Sequence, residues 1–202
     1  MMARAGSGSM QDAIRELFDA SAHAKRVFLA ENGPALERAI DIIATALAQG
    51  KKLLLFGNGG SAADAQHVAS EFVGRFMRER RPLPAIALTT DTSALTAIAN
   101  DYGYDDVFAR QVRALAASGD VALAISTSGR SPSVLRATEA CRELGVTTIG
   151  LTGGDGGELA GAVDVSLRVS ASRLSARIQE THILVGHVIC ELVDRRLFGV
   201  PA

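Results

Sequence analysis

The sequence predicts a three-layer α/β/α fold: a five-stranded parallel sheet, wound in the flavodoxin-like order 2-1-3-4-5, with helices on both faces. Three observations predict it. Short runs of Leu, Ile, Val and Ala alternate with helix-length amphipathic segments along most of the 202 residues, the pattern of parallel strands joined by crossover helices. The composition is 48% hydrophobic but only 4% aromatic, with no Trp, which suits helices packed on a sheet buried from both sides. The two most polar glycine-containing loops, Asn58-Gly59-Gly60-Ser61 and Ser126-Thr127-Ser128-Gly129-Arg130-Ser131, follow the first and third strands. Those strands flank the point where the order reverses, and open α/β sheets bind ligands there.

The elements follow in chain order. Residues 1–9 are small, with a second plausible start at Met10, and are set aside as a flexible extension or cloning remnant; residues 10–202 read as a single domain. Gln11–Leu29 is an amphipathic helix with Ile14, Leu17, Phe18 and Phe28 apolar. Asn32-Gly33-Pro34 reads as a break, with Pro34 in the first turn of a second helix. In that helix Leu36, Ile40, Ile43 and Leu47 form a buried or subunit-facing stripe, and Gly50 ends it. Lys52–Phe56 is the first strand and Ser61–Phe76 its helix. Ala85–Leu88 is a strand, followed by helical Ser93–Ala99 and Asp105–Ala116. Val121–Ile125 and Pro132–Leu144 form the next strand and helix. Thr147–Leu151 leads to a glycine-rich turn and a short helix near Glu158–Ala160. Val163–Val169 is the last strand, and Ser175–Leu197 the closing helix.

Composition narrows the function classes. The formal net charge is −1, so no basic field holds nucleic acid. No apolar run has the length of a membrane span, and no signal-peptide core opens the chain. Cys141 and Cys190 both fall in apolar helical patterns and read as reduced core residues of a cytoplasmic protein.

The stretch from Leu53 to Ser61 runs a strand into a glycine turn that opens a helix, directing backbone N–H groups and a helix N-terminus at a ligand, preferably an anion. Gly57–Ala62 also fits the dinucleotide pattern G-x-G-x-x-A. That pattern wants an acid about 20 residues on, at the end of the next strand. Here the acid after Ala85–Leu88 is Asp91, much later, and a dinucleotide is not expected. In the second loop Ser126, Thr127, Ser128 and Ser131 supply four hydroxyls in six residues. Ser131 stands at the N-cap of the helix that Pro132 begins. Only Arg130 adds a formal charge, so the loop suits the phosphate of a sugar better than a polyphosphate. Further along, His67 and Glu71 share one helical face at i, i+4, able to bind a metal or move a proton. Gln179, His182 and His187 sit on the closing helix; His182 reads as a hydrogen-bonded core histidine. Arg75–Arg81 is a charge run, read as a solvated helix end and loop.

Together these residues resemble the sugar isomerase (SIS) domain family, and within it the phosphoheptose isomerases. The resemblance rests on Gly57 to His67, Glu71, Asn100-Asp101, the Ser126–Ser131 loop, and Arg177-Ile178-Gln179-Glu180 followed by His187. It implies an aldose–ketose isomerase that converts D-sedoheptulose 7-phosphate to D-glycero-D-manno-heptose 7-phosphate through an enediol, toward bacterial lipopolysaccharide or related surface glycans. It implies Glu71 as base and His187 as acid/base partner. Asn58, Gly59, Gly60, Ser61, Asn100, Asp101 and Gln179 would orient the sugar, and Ser126, Thr127, Ser128 and Ser131 hold the phosphate. It further implies a homotetramer with sites at subunit contacts, and zinc (Zn2+) on His67, Glu71, Gln179 and His187. The zinc set carries a geometric question: Gln179 and His187 are ~12 Å apart along an unbroken helix, so either the helix is irregular after Gln179 or the two meet through a neighbouring subunit. Some members carry an acid just before Arg177, where this chain has Leu174, Ser175 and Ala176. A related adaptor that binds the replication initiator DnaA shares much of the sequence. It lacks counterparts of Glu71 and His187 and carries an Arg in place of the Ser-Thr-Ser loop, so the residues kept here favour the enzyme.

Overall fold

The structure is a computed structural model and describes residues 9–200. The extension expected over residues 1–9 lies outside the described residues except for Ser9, which belongs to the first helix instead. Its hydroxyl accepts from Asp12 N while the Asp12 carboxylate accepts from Ser9 N, a complete capping box.

That helix, α1, runs unbroken from Met10 to Ala48, correcting the expected break at Asn32-Gly33-Pro34. The reason is tertiary. Asn32 is buried, and its Nδ2 donates to Phe28 O at 2.9 Å and to Arg168 O at 3.1 Å, while its Oδ1 accepts from Arg168 N at 3.0 Å. The amide thus pairs with the outer edge of the last strand as a neighbouring strand would. Pro34 costs one intrahelical bond, but Phe28, Leu36, Ile40 and Ile43 on either side are buried and hold the helix through it. Local propensity yields to packing here.

The remaining elements are β1 (Leu53–Gly57), α2 (Gly60–Val73), β2 (Ala85–Ala87), α3 (Thr92–Tyr102), a 3-10 turn (Tyr104–Asp106), α4 (Ala109–Leu115) and β3 (Val121–Ser126). Then come α5 (Pro132–Glu143), β4 (Thr147–Gly153), α6 (Leu159–Ala162), β5 (Val165–Val169) and α7 (Ser175–Phe198). The five strands pair in the order β2-β1-β3-β4-β5, all parallel. Alternation along the strands divides the core. Leu53, Leu55, Val121, Leu123 and Ile125 face α1, α2 and α7, and Leu54, Phe56, Ala122 and Ala124 face α4, α5 and α6. Cys190 belongs to the first layer and Cys141 to the second; both are buried and free, and burial pushes the Cys141 thiol up to about 12. Among the described residues no helix is long and apolar enough to cross a membrane.

His182 takes its expected place in the core. Its ring is 1% exposed, Nε2 lies 3.1 Å from Thr152 O, and Nδ1 has no partner. Burial drives its pKa down to about 4, the bond to Thr152 opposing only in part. The unfolded chain therefore takes up a proton near its ordinary value of 6.5 before the folded one does. Stability falls as pH drops from there toward 4, by about 3 kcal/mol in all. Urea unfolding near pH 7 and near pH 4.5 should show this loss in the parent protein and a smaller one in His182→Gln.

Candidate active site

β1 ends at Gly57 because nothing larger fits: a Cβ there would lie 2.6 Å from Ile125 O and 2.8 Å from Ser61 Cβ. The chain can therefore leave the sheet against β3 and turn at once into α2, with Gly59 at φ +57°. Ser61 is buried beneath this turn. Asn58 carries the link to the neighbouring loop. Its Nδ2 donates to Ser133 Oγ at 2.9 Å, and Tyr104 Oη donates to its Oδ1 at 2.8 Å. The glycine turn after β1 thus meets the first turn of α5, directly after the hydroxyl loop, at the switch point.

In the second loop the Ser131 hydroxyl does not cap α5, although Ser131 occupies the N-cap position. It lies 3.1 Å from Ser126 Oγ, which also accepts from Gly129 N at 3.1 Å. Ser131 takes the expected N-cap position, but its side chain turns toward Ser126 and leaves the first-turn N–H groups uncapped. Gly129 holds the loop's shape at φ +63°, and a Cβ there would run into Gly156 O. Gly129→Ala should therefore cost more than about 2 kcal/mol in chemical denaturation, since left-handed strain and a backbone collision add. It should also displace the hydroxyls. Arg130, the loop's own cation, is already engaged: Nη1 and Nη2 donate to the two oxygens of Asp155 at 3.0 and 2.7 Å. The Arg130 guanidinium, with Gly157 N–H, holds the Asp155 carboxyl at about 2.

The other half of the site lies between α2 and α7. Gly186 lets the helices approach, since a Cβ on it would stand 2.6 Å from Val68 Cγ2. The residues next to that contact, His67 and His187, bring their Nε2 atoms to 2.8 Å, so one ring donates and the other accepts. Glu71 Oε1 is 3.5 Å from His67 Nε2, and Phe76 stacks on His187 at 5.5 Å between centroids. One turn before His67, burial pushes the Asp64 carboxyl above the usual carboxylate range, with His67 opposing.

α7 is regular throughout, which removes the irregular-helix alternative. Gln179 lies against Gly60, at the start of α2, two turns of α7 from His187. The four expected zinc donors therefore do not converge in this chain. Among the described residues no three His, Cys, Asp or Glu side chains are gathered tightly enough to hold an ion as placed. In donor chemistry the site does suit zinc, which takes imidazole nitrogens and carboxylate oxygens: two imidazoles face one another with a carboxylate at hand.

Asn100 and Asp101 stand apart, exposed on α3 and hydrogen-bonded to each other at 2.8 Å. No residue of α3 is buried. Sequence reasoning passed over Tyr104 and Ser133, which fix Asn58, and misplaced Arg80. That side chain, inside the supposedly solvated charge run, is only 2% exposed. It bonds Asp194 Oδ1 at 2.8 Å and the carbonyls of Glu71, Phe72 and Gly74 at 2.8, 2.9 and 3.1 Å, closing the C-terminus of α2. Asp194, an acid on the buried stripe of α7, was the available signal for a buried cation.

The SIS domain model matches residues 16–153, a span that holds the glycine turn, Glu71 and the hydroxyl loop. Phosphoheptose isomerases of Aquifex aeolicus and of a Roseiflexus species are 52% and 56% identical to the chain. These alignments cover 92% and 89% of it and 96% and 91% of the relatives. The phosphoheptose isomerase structure from Neisseria gonorrhoeae superposes with a TM-score of 0.86 at 45% identity, over 92% of this chain and 99% of that one. The chain belongs to the phosphoheptose isomerase family of SIS-domain proteins.

Proposed function

We propose that the protein isomerises D-sedoheptulose 7-phosphate to D-glycero-D-manno-heptose 7-phosphate, an aldose–ketose interconversion in bacterial heptose biosynthesis. The observation that carries this reading is the Glu71–His67–His187 cluster between α2 and α7, in a chain whose relatives bear that activity in their names. The Glu71 carboxylate removes a proton from C1 of the open-chain ketose, giving a cis-enediol, and returns one to C2. His187 carries the proton between O2 and O1, so the two transfers balance. Glu71 and His187 act at one end of the substrate, and the hydroxyls of Ser126, Thr127, Ser128 and Ser131 hold the phosphate at the other. Ile178, at the phosphate end of α7, and His187 are about 13 Å apart along the helix, a span that suits an extended seven-carbon sugar phosphate. Gln179, Gly59 and Gly60 lie between and orient the chain of hydroxyls, and Asn58 shapes the turn.

Zinc belongs to the proposal through His67, Glu71 and His187, with Gln179 as a more distant fourth donor; when bound it would polarise the carbonyl and stabilise developing charge on oxygen. The assembly is proposed as a homotetramer. Met10, Ile14, Leu17 and Phe18 are exposed along the start of α1, an apolar stripe that a second copy would cover. The exposed α3, with Asn100 and Asp101, would then complete a site in a neighbouring subunit. A cytoplasmic location and a product destined for lipopolysaccharide or capsule complete the reading.

The test is conversion of sedoheptulose 7-phosphate by the purified protein, before and after removal of metal by a strong chelator. The reading expects heptose 7-phosphate, loss of rate with the metal and recovery on adding zinc. Binding of the DnaA initiator without turnover would favour the adaptor. Full rate in metal-free protein would remove zinc from the chemistry.

A further inference from the structure

We propose that Arg173 is the cation that recognises the substrate's phosphate monoester, an assignment that rests on the sugar-phosphate reading above and extends it to a residue outside the hydroxyl loop. A cleft of about 210 Å3 opens at the C-terminal ends of β3 and β4, between the hydroxyl loop and the glycine turn after β4, and Thr127, Ser128, Arg130, Asp155 and Arg173 line it. Two of the three charges cancel. Arg130 is held by both oxygens of Asp155, and with Asp155 depressed to about 2 both members of that pair stay ionised at neutral pH. Arg173 makes no ion pair within 4.0 Å among the described residues; it acts on Asp155 only at longer range, as the smallest influence on that carboxyl. The Arg173 stem runs beside Gly154, Cγ lying 3.7 Å from where a Cβ on that glycine would stand, and the side chain lines the cleft.

The cleft's lining therefore sums to one uncompensated positive charge, and Arg173 supplies it. Hydroxyl and guanidinium donors together are what a phosphate monoester dianion takes, and the planar guanidinium fork matches two of its oxygens. A hydroxyl-only site would leave that charge unbalanced. The cation on the loop itself, Arg130, is the one residue type suggests, but its carboxylate partner has already claimed it.

The experiment uses inorganic phosphate as the probe, titrated calorimetrically into the parent protein, Arg173→Gln and Arg173→Lys, alongside steady-state kinetics with sedoheptulose 7-phosphate. Loss of one charge-assisted contact at a partly exposed site predicts phosphate binding weaker by about tenfold in Arg173→Gln. Arg173→Lys should fall between the two, because an ammonium keeps the charge but not the fork. The kinetic loss in Arg173→Gln should be carried by KM. Phosphate binding and KM unmoved by Arg173→Gln, in a protein that converts the sugar, would overturn the assignment and leave the isomerase reading standing. Weaker phosphate binding in Arg173→Gln, from a parent protein that does not convert the sugar, would uphold Arg173 as the phosphate ligand and remove the isomerase reading instead.

Discussion

Glu71→Gln is expected to lower the conversion of sedoheptulose 7-phosphate by about 10²–10⁴-fold, the range of a positioned general base, while the protein stays folded. The amide keeps the shape of the carboxylate but cannot take a proton from carbon. The backbone at this position is anchored independently of the side chain, because Arg80 Nη2 binds Glu71 O at 2.8 Å. A fall in kcat with an unchanged thermal midpoint separates lost chemistry from lost structure. If the substitution leaves kcat near the parent value, the proton is moved by another group.

The second large effect falls on stability. Arg80→Met should destabilise the protein by about 3–5 kcal/mol, because it strands the buried Asp194 carboxylate. That carboxylate is 4% exposed; Arg80 bonds its Oδ1, and its Oδ2 has no hydrogen-bond partner. In a protein of this size the loss lowers the thermal midpoint by roughly 10 °C. Three carbonyls at the end of α2 also lose their donor, and the turn that carries Glu71 loosens. The double substitution Arg80→Met with Asp194→Leu should recover much of the midpoint, since a buried ion pair replaced by apolar side chains of similar volume is often neutral. Activity should recover less, because the carbonyls remain uncapped. A single variant as stable as the parent would show that the pair is not what closes α2.

Both effects arise from one short segment, and the sequence made only part of it readable. Alternation of apolar strands with helices implied the parallel doubly wound sheet, and the order 2-1-3-4-5 that five such strands allow placed the glycine turn beside the segment after β3, as the bond from Asn58 to Ser133 at the start of α5 shows. His67 and Glu71 were visible because helical spacing is local. His187 reaches them through a close helix approach at Gly186, a long-range contact that spacing does not encode. Arg80 was hidden because its neighbours Arg78, Glu79 and Arg81 make a run that reads as solvated. Asn32-Gly33-Pro34 misled in the opposite sense: three helix-breaking residues in a row are overridden by one buried amide that bonds to β5. Arg130 shows the same limit in the hydroxyl loop, where residue type suggests a free cation and the fold supplies Asp155 to neutralise it.

On the proposed mechanism Glu71 moves a proton between C1 and C2 of a seven-carbon ketose phosphate. Its most direct test is the reaction run in deuterium oxide and followed by NMR with the parent protein and Glu71→Gln. The parent should give heptose 7-phosphate carrying solvent deuterium at C2, and the variant neither product nor label. Product formed equally well by Glu71→Gln, with or without deuterium at C2, would contradict the mechanism; unlabelled product from the parent alone would mean that Glu71 hands the C1 proton to C2 before it exchanges with solvent.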